Sequence, residues 1–576
     1  MTAGSVRERA RAWIAGDPDP DTRAELSALL AADDDAALAE RMAGPLEFGT
    51  AGLRGIVGAG SARMNRAVVI RTTRAVADTL LARVPDARAL PVVVGFDARA
   101  SSRRFAEDTI GVLLAAGIPV RHFSEPVATP LVAYAARVLG ASAAVVITAS
   151  HNPPEYNGYK LYGPDAVQIS APLDQDVSRR LAQVGAAADI PCEPGALSGT
   201  HPLLEPVAED LVERYWMELS AGRPEIPRAT DLRIVYTPLH GVGRALAEPL
   251  LRRAGYDRLE VVSEQAEPDP RFPTVRFPNP EEPGALDLAI AQVVRTGADL
   301  LVANDPDADR LALGVPVPSG GVRRLSGNEV GLLLADYVLE HAPKLPEPLV
   351  VQSIVSSPML ASIARAHGAA VERTLTGFKW IWRAALERQH QGGVRFAYGY
   401  EEALGYSVGT AVRDKDGISA AVHAVDLAAH CRARGTTLLE ALARLHTRHG
   451  YWFGLQQSRV LPGLDGLEQM RAAMQRLRTA SLERLGDRKL VRKTDYLSGA
   501  EARPAWLGAA DLVELELDGP ARVLVRPSGT EPKLKAYVDV CVGEPGPPPG
   551  EDWHSVGQRA AERLAIDLWA RLGLRP

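Results

Sequence analysis

The stretch from Thr148 to Lys160, Thr-Ala-Ser-His-Asn-Pro-Pro-Glu-Tyr-Asn-Gly-Tyr-Lys, puts a serine, a histidine and a lysine where they could do chemistry. The preceding run, Ala141 to Ile147, is rich in alanine, valine and isoleucine and has the length of a buried strand. Two prolines and Asn157-Gly158 then stop regular structure and force a turn. Ser150 is thereby delivered at the end of a rigid strand, on a tight loop, with His151 beside it and Lys160 further along. A hydroxyl so placed suits a covalent nucleophile or a phosphate carrier.

Six other stretches carry chemistry. Asp305-Pro306-Asp307-Ala308-Asp309-Arg310 follows the apolar segment Asp299 to Asn304, which reads as a strand. Carboxylates at alternate positions of one loop can converge on a hard divalent cation. A calcium EF-hand is excluded, because Arg310 stands where that loop needs glycine and Pro316 where it needs glutamate. Near the N-terminus, Phe48-Gly49-Thr50-Ala51-Gly52-Leu53-Arg54-Gly55 offers glycines that let backbone approach an anion, and the forked donor Arg54. Thr376-Gly377-Phe378-Lys379-Trp380 precedes Tyr398 to Gly405, where Glu401 and Glu402 are suited to accepting bonds from sugar hydroxyls. Arg413-Asp414-Lys415-Asp416-Gly417 comes after these. Near the C-terminus the strand Arg522 to Val525 leads into Arg526-Pro527-Ser528-Gly529-Thr530-Glu531-Pro532-Lys533-Leu534-Lys535. One arginine, two hydroxyls, a glycine amide and two lysines make a dense anion cradle.

The elements that must position these groups repeat. Pro91 to Phe123, Leu232 to Val262 and Leu349 to Thr374 each run strand, polar loop, helix, small turn, strand. Each is a βαβ-like unit, and their spacing predicts three related mixed α/β domains. Residues 1 to about 44 read as two helices broken at Asp17-Pro18-Asp19-Pro20, and Asp33-Asp34-Asp35 could seed a further short turn. The closing helix places Ala561, Leu564, Ala565, Leu568, Trp569 and Leu572 on one face, a core stripe. The expected domains are 1–205 (the extension and the Ser150 loop), 206–325 (the aspartates), 326–445 (the paired glutamates) and 446–576 (the Arg526 cradle, α+β). Gly543 to Glu551 reads as an exposed Pro/Gly loop.

Composition narrows the class. At 576 residues the chain exceeds a single core. A net charge of −6 and a pI near 6.1 argue against a nucleic-acid partner. Cys192, Cys431 and Cys541 lie far apart and form no metal or redox spacing, so buried free thiols in a reducing cytoplasm are expected. No run of 18 apolar residues exists, so no membrane partner is expected.

Ser-His-Asn-Pro followed by Asn-Gly-Tyr-Lys closely resembles the phosphoserine loop of the α-D-phosphohexomutases. Asp-x-Asp-x-Asp-Arg resembles their magnesium loop, and the stretch from Arg526 resembles their phosphate-binding loop. The motifs come in family order over nearly the whole chain. The resemblance implies a fold of three α/β domains and a C-terminal domain around a central cleft. It implies an isomerase that interconverts sugar 1-phosphates and 6-phosphates (5-phosphates for pentoses) through phosphorylated Ser150 and a bisphosphorylated sugar, with glucose as the leading substrate. Asp305, Asp307 and Asp309 would take Mg2+ together with the Ser150 phosphoryl group. Arg54 and Arg310 would face that phosphoryl group. Thr376, Gly377, Lys379, Glu401 and Glu402 would meet the sugar, and Arg526, Ser528, Gly529, Thr530 and Lys533 its other phosphate. A sugar 1,6-bisphosphate is the implied activator, and a monomer or weak homodimer the implied assembly.

Thr237-Pro238-Leu239-His240-Gly241-Val242-Gly243 and Phe272 to Pro280, with Tyr400-Glu401-Glu402-Ala403, are most similar to the branch that holds phosphopentomutases and glucose 1,6-bisphosphate synthases. Relatives commonly have Glu-x-Ser at the sugar loop; Ala403 departs from it and leaves the sugar open between glucose, mannose and pentose phosphates. His151, Lys160, Lys379 and Lys415 are the candidates for general acid and base, and a cationic site would lower a lysine pKa toward neutrality. A phosphoserine-dependent sugar phosphatase would need neither the distal cradle nor the sugar loop. A non-catalytic phosphosugar-binding protein would need neither Ser150 nor the aspartates.

Overall fold

The computed structural model describes residues 5–47, 52–197, 199–341, 346–461, 465–528, 533–542 and 552–574. It contains two compact units. Met1–Ser326 and Leu404–Ala433 form the first, and Gly327–Ala403 and Arg434–Pro576 the second.

The first unit opens with three helices where the sequence predicts two: Val6–Gly16, Pro20–Ala31 and Asp35–Arg41. Ser5 and Glu8 form a reciprocal capping box on the first. Asp19 caps the second, with Pro20 at its first position. The third exists because the Asp34 side chain accepts the Ala37 amide at 2.9 Å, which turns the acidic run into a helix start.

A six-stranded sheet follows, in the order Leu53–Ile56, Tyr156–Tyr162, Ala143–Ile147, Val92–Phe96, Val120–His122, Leu204–Pro206. Val92–Phe96 pairs in parallel with Ala143–Ile147 and Val120–His122, as a βαβ unit requires. Tyr156–Tyr162 runs antiparallel beside Ala143–Ile147, so the Ser150 loop joins neighbouring strands. Ala143–Ile147 is buried along its whole length, which explains its unbroken apolar composition. A five-stranded sheet repeats the pattern, with Ile234–Thr237 parallel to both Leu259–Val261 and Leu300–Ala303. The helix Gly417–Ala433 belongs to this unit and is buried over nearly all its length.

In the second unit Pro348–Ser353 pairs in parallel with Ala370–Thr374 and Arg395–Glu401. An antiparallel six-stranded sheet follows, ordered Tyr451–Val460, Lys533–Val542, Ala521–Pro527, Val513–Leu517, Arg488–Asp495, Arg484–Leu485. Ile354, Val355 and Leu375 share a core with Tyr496, Leu512, Leu524 and Tyr537, which welds the parallel strands to this sheet. The closing helix, Trp553–Arg571, buries the expected stripe from Ala561 to Leu572. Gly543 to Glu551 lies outside the described residues.

All three cysteines are free thiols. Only Cys431 is buried; Cys192 and Cys541 are half-buried, a correction to the expectation of three buried thiols. Among the described residues no helix is long and apolar enough to cross a membrane.

Candidate active site

Ser150 closes the strand Ala143–Ile147 in a left-handed conformation (φ 52°), unusual for a residue with a side chain and held only where the surroundings fix it. Its amide donates to Thr148 Oγ1 at 2.8 Å. Its hydroxyl donates to Asp305 Oδ2 at 2.8 Å and lies 3.1 Å from His151 Nδ1. The serine and the aspartate loop, 155 positions apart in sequence, therefore meet directly. Gly158 lets the strands flanking the serine loop pack closely, since a Cβ there would stand 2.7 Å from both the Leu53 and the Thr148 carbonyl oxygens. The aspartate loop is braced from behind: a Cβ on Gly241 would fall 2.2 Å from Pro306 Cα, and the Val242 amide donates to the Pro306 carbonyl at 2.8 Å.

Asp305, Asp307 and Asp309 are all buried, and one carboxylate oxygen from each lies within 4.8 Å of the others. Asp307 Oδ1 and Asp309 Oδ1 are buried with no hydrogen-bond partner. Grouped hard oxygens with orphaned acceptors fit a divalent cation. Burial, with the Asp307 and Asp309 charges added, pushes Asp305 well above the usual carboxylate range. Burial would raise Asp309 as well, but Lys160, Lys415 and Arg310 hold it below that range.

Lys160, on the strand Tyr156–Tyr162, donates to Asp307 Oδ2 and Asp309 Oδ2, both at 2.7 Å. The expectation of a lysine drawn toward neutrality fails for this residue. Burial disfavours its ammonium, yet the two carboxylates outweigh burial and raise its pKa above the ordinary lysine value. Lys160 as placed is a hydrogen-bond donor and a charge partner that keeps its proton. Burial, followed by the positive Arg310 and Arg54, drives His151 well below the usual histidine pKa, so the site holds its imidazole neutral and resists its protonation.

Lys415 Nζ lies 3.2 Å from Asp309 Oδ2. Its loop is tied down by the neighbouring Asp414, whose carboxylate accepts from Tyr162 Oη at 2.6 Å and Gln168 Nε2 at 2.7 Å. The Arg310 amide donates to Asp305 Oδ1 at 3.0 Å, while its guanidinium lies 3.3 Å from Glu281 Oε2. Arg54 donates to Asn152 Oδ1 at 2.7 Å, within the serine loop. The first unit thus assembles Ser150, His151, Lys160, Lys415, the three aspartates, Arg54 and Arg310.

The second unit holds the other candidates. Glu401 Oε1 accepts the Gly377 amide at 2.7 Å, which joins the paired-glutamate turn to the one carrying Thr376. Lys379, nearly buried in the first turn of Phe378–Gln391, has its ammonium 5.5 Å from the Trp380 ring centre. Glu402 Oε2 accepts from Ser353 Oγ at 3.0 Å and Ser356 Oγ at 3.1 Å. Arg526 donates to Tyr537 Oη at 3.0 Å, and its Nε is buried without a hydrogen-bond partner. The Ser528 amide donates to the Lys533 carbonyl at 2.7 Å, which draws the two ends of the cradle loop together. Gly529 and Thr530 lie outside the described residues.

Sequence reasoning missed Asp97, Arg99 and Thr129. Asp97 accepts from Thr148 Oγ1 at 2.6 Å and Ser102 Oγ at 2.5 Å, beneath the serine loop. Thr129 donates to Asp307 Oδ2 at 2.8 Å from the start of the helix Thr129–Val138. The available signal was position: Asp97 and Arg99 follow the strand Val92–Phe96 at the sheet end that carries Ser150.

A serine inside a buried carboxylate cluster, on repeated α/β sheets, is an arrangement suited to phosphoryl transfer. Four family models match in succession: phosphoglucomutase/phosphomannomutase α/β/α domain I over 45–187, domain II over 213–317, domain III over 326–448 and the C-terminal domain over 489–544. The "Probable phosphoribomutase" of Schizosaccharomyces pombe is 36% identical over 92% of this chain and 93% of its own length. Human phosphopentomutase is 32% identical over 93% and 91%, and the phosphoglucomutase of Staphylococcus haemolyticus 34% over 86% and 90%. Among solved structures, the Paramecium phosphoprotein pp63/parafusin shares the fold with a TM-score of 0.67 at 16% identity, over 92% of this chain and 95% of that one. The chain belongs to the phosphoglucomutase/phosphomannomutase family. It is an isomerase, a phosphosugar mutase.

Proposed function

We propose that Ser150 carries the phosphoryl group and that the enzyme accepts both pentose and hexose 1-phosphates. One observation carries the first part: the Ser150 hydroxyl lies 2.8 Å from Asp305 within the carboxylate cluster. In the forward direction the phosphoryl group leaves Ser150 for the terminal hydroxyl of the sugar 1-phosphate, and Ser150 Oγ gains a proton as the hydroxyl loses one. The bisphosphorylated sugar then returns its other phosphoryl group to Ser150, which releases the 5- or 6-phosphate. His151, 3.1 Å from the hydroxyl, and Lys160 and Lys415, both beside the aspartates, are the groups placed to exchange these protons. A sugar 1,6-bisphosphate would prime an unphosphorylated serine by the same step.

Asp305, Asp307 and Asp309, with Ser150, would hold Mg2+. When bound, the ion offsets the roughly −1.5 to −2 charge of a phosphoserine. Arg54 and Arg310 supply fixed positive charge on the same side, so that transfer rests on positioning and charge stabilisation. Arg526, Ser528 and Lys533 are assigned to the phosphate that is not being transferred, and Glu401 to the sugar hydroxyls.

The sugar assignment is supported by relatives named for pentose, ribose and glucose phosphates and by Ala403, which offers a methyl group in place of a hydroxyl. A site that does not hydrogen-bond a given hydroxyl discriminates against its absence by only about 100-fold or less. Purified enzyme assayed with ribose, glucose and mannose 1-phosphates should give ribose and glucose kcat/KM values within that range, and Ala403→Ser should shift preference toward the hexose. An enzyme inert to every pentose phosphate refutes the dual assignment, and release of inorganic phosphate without isomer would make it a phosphatase.

A further inference from the structure

Ser150 is held in a left-handed conformation at the head of a loop that no regular structure supports. One buried side chain reaches almost all of that loop. Arg99 Nη2 donates to the carbonyls of Ser150 at 2.8 Å and Asn152 at 2.5 Å. Its Nη1 donates to the carbonyls of Pro153 at 2.7 Å and Tyr156 at 2.9 Å. The planar fork carries four Nη protons, and four backbone oxygens of one loop take them. Its Nε lies 3.2 Å from Asp97 Oδ2, the carboxylate that also accepts from Thr148 two residues before Ser150.

The other side of the guanidinium rests on the second sheet's domain. Its carbon stands 5.2 Å from the centre of the Phe272 ring, within cation–π range. Phe272 is itself left-handed (φ 48°), in a turn that begins where the Asp269 amide donates to the His240 carbonyl. His240 adjoins Gly241, the residue pressed against Pro306 of the aspartate loop. Arg99, Phe272, His240 and Pro306 line one small slot behind the two loops.

We infer that Arg99 is a positioning residue that sets the serine loop against the aspartate loop and takes no part in binding the phosphosugar. Its Nη protons are committed to the backbone, which leaves Arg54 and Arg310 to meet phosphate. Lysine cannot replace it, because an ammonium has three donors, no plane to stack on Phe272 and no fork to span four carbonyls. The inference rests on the proposed role of Ser150 for its kinetic consequence, but not for its structural one.

Arg99→Lys tests it with two readouts on the full chain. Hydrogen–deuterium exchange of peptides spanning 150–157 should quicken by at least about tenfold, as a loop losing its backbone partners opens more often. Turnover of the sugar 1-phosphate that the wild type uses should fall by about 100-fold in kcat with KM changed by less than about threefold, since misplacing reacting groups costs rate while leaving the substrate contacts alone. Millimolar guanidinium should restore part of the activity of Arg99→Ala. Phe272→Leu, which keeps an apolar contact and loses the ring, should lower kcat in the same direction and decide the matter if the arginine variants do not fold. Wild-type exchange at 150–157 in Arg99→Lys would overturn the inference, as would a raised KM with unchanged kcat, which would make Arg99 a ligand-binding group. A wild-type protein inert to every sugar phosphate would sink the proposed function alone, and the exchange measurement would then decide this inference.

Discussion

Replacing Lys160 with methionine probes the charge balance around the aspartates. The ammonium and its partners Asp307 and Asp309 have side chains only 2%, 0% and 1% exposed. Methionine fills similar space but leaves the two carboxylates, among the described residues, with Thr129 at 2.8 Å, Lys415 at 3.2 Å and the longer-range charge of Arg310. Removing one partner of a buried ion pair costs about 3–5 kcal/mol, because the remaining charge is left uncompensated. With an m value of ~4 kcal/mol/M for a unit of this size, the urea midpoint in chelator should fall by about 1 M. Saturating Mg2+ should return at least half of that loss, because a divalent cation supplies the positive charge that methionine removed. The double variant Lys160→Met/Asp309→Asn should be less destabilised than the sum of the single ones. A Lys160→Met midpoint equal to wild type in chelator would refute the buried pair, and a deficit unchanged by Mg2+ would refute the carboxylates as a cation site.

Three further outcomes are expected. Ser150→Ala should fold, lose the added mass of one phosphoryl group on intact-protein mass spectrometry, and lose at least about 1000-fold in kcat if the serine is the carrier. Arg526→Ala should raise KM for phosphorylated sugars by roughly 10- to 150-fold, the equivalent of losing a charge-assisted hydrogen bond of about 1.5–3 kcal/mol, while Ser150 remains phosphorylated; an unchanged KM would place the distal grip elsewhere. His423, buried in the helix Gly417–Ala433, is pushed by burial from 6.5 to about 4. The unfolded chain therefore takes up a proton below pH 6.5 that the folded chain refuses until about pH 4. That contribution to stability is present above pH 6.5 and is lost as pH falls through this window, by up to ~3 kcal/mol. His423→Gln should flatten the pH dependence of the urea midpoint there.

What could be read from the sequence was whatever a short stretch encodes by itself. Asp305, Asp307 and Asp309 announce a cation loop through their alternation, and Ser150 announces itself through an apolar strand ended by prolines. The βαβ units were legible because strand, turn and helix each leave a local signature. Arg99 was not, because its partners lie 51 to 57 positions away and are main-chain carbonyls, which every residue carries. Glu402 read as equivalent to Glu401, since nothing local shows that Ser353 and Ser356 converge on its carboxylate. The Lys160 pKa went wrong for a related reason. The sequence displays positive residues around the serine, but only the fold shows two carboxylates at 2.7 Å from that ammonium. The helix Gly417–Ala433 is buried nearly all round although it carries His423, Asp426 and His430, and its sequence does not show which elements cover it.

The return of Leu404–Ala433 to the first unit sets an order on biosynthesis. A ribosome that has finished Ser326 has made both sheets of that unit, yet the nascent chain still lacks the helix Gly417–Ala433, which packs on Leu300–Ala303 and Arg244–Arg253. Asn304 at that moment has no Gly417 carbonyl to donate to, Tyr215 has no Asp416, and Asp309 has no Lys415. About a hundred more residues, including all of Gly327–Ala403, must emerge before the first unit can close. Native closure of the reactive half is thus post-translational with respect to its own N-terminal 326 residues. A gene fragment cut at Ser326 would therefore encode a chain that lacks the packing of Gly417–Ala433 and leaves the faces it covers open.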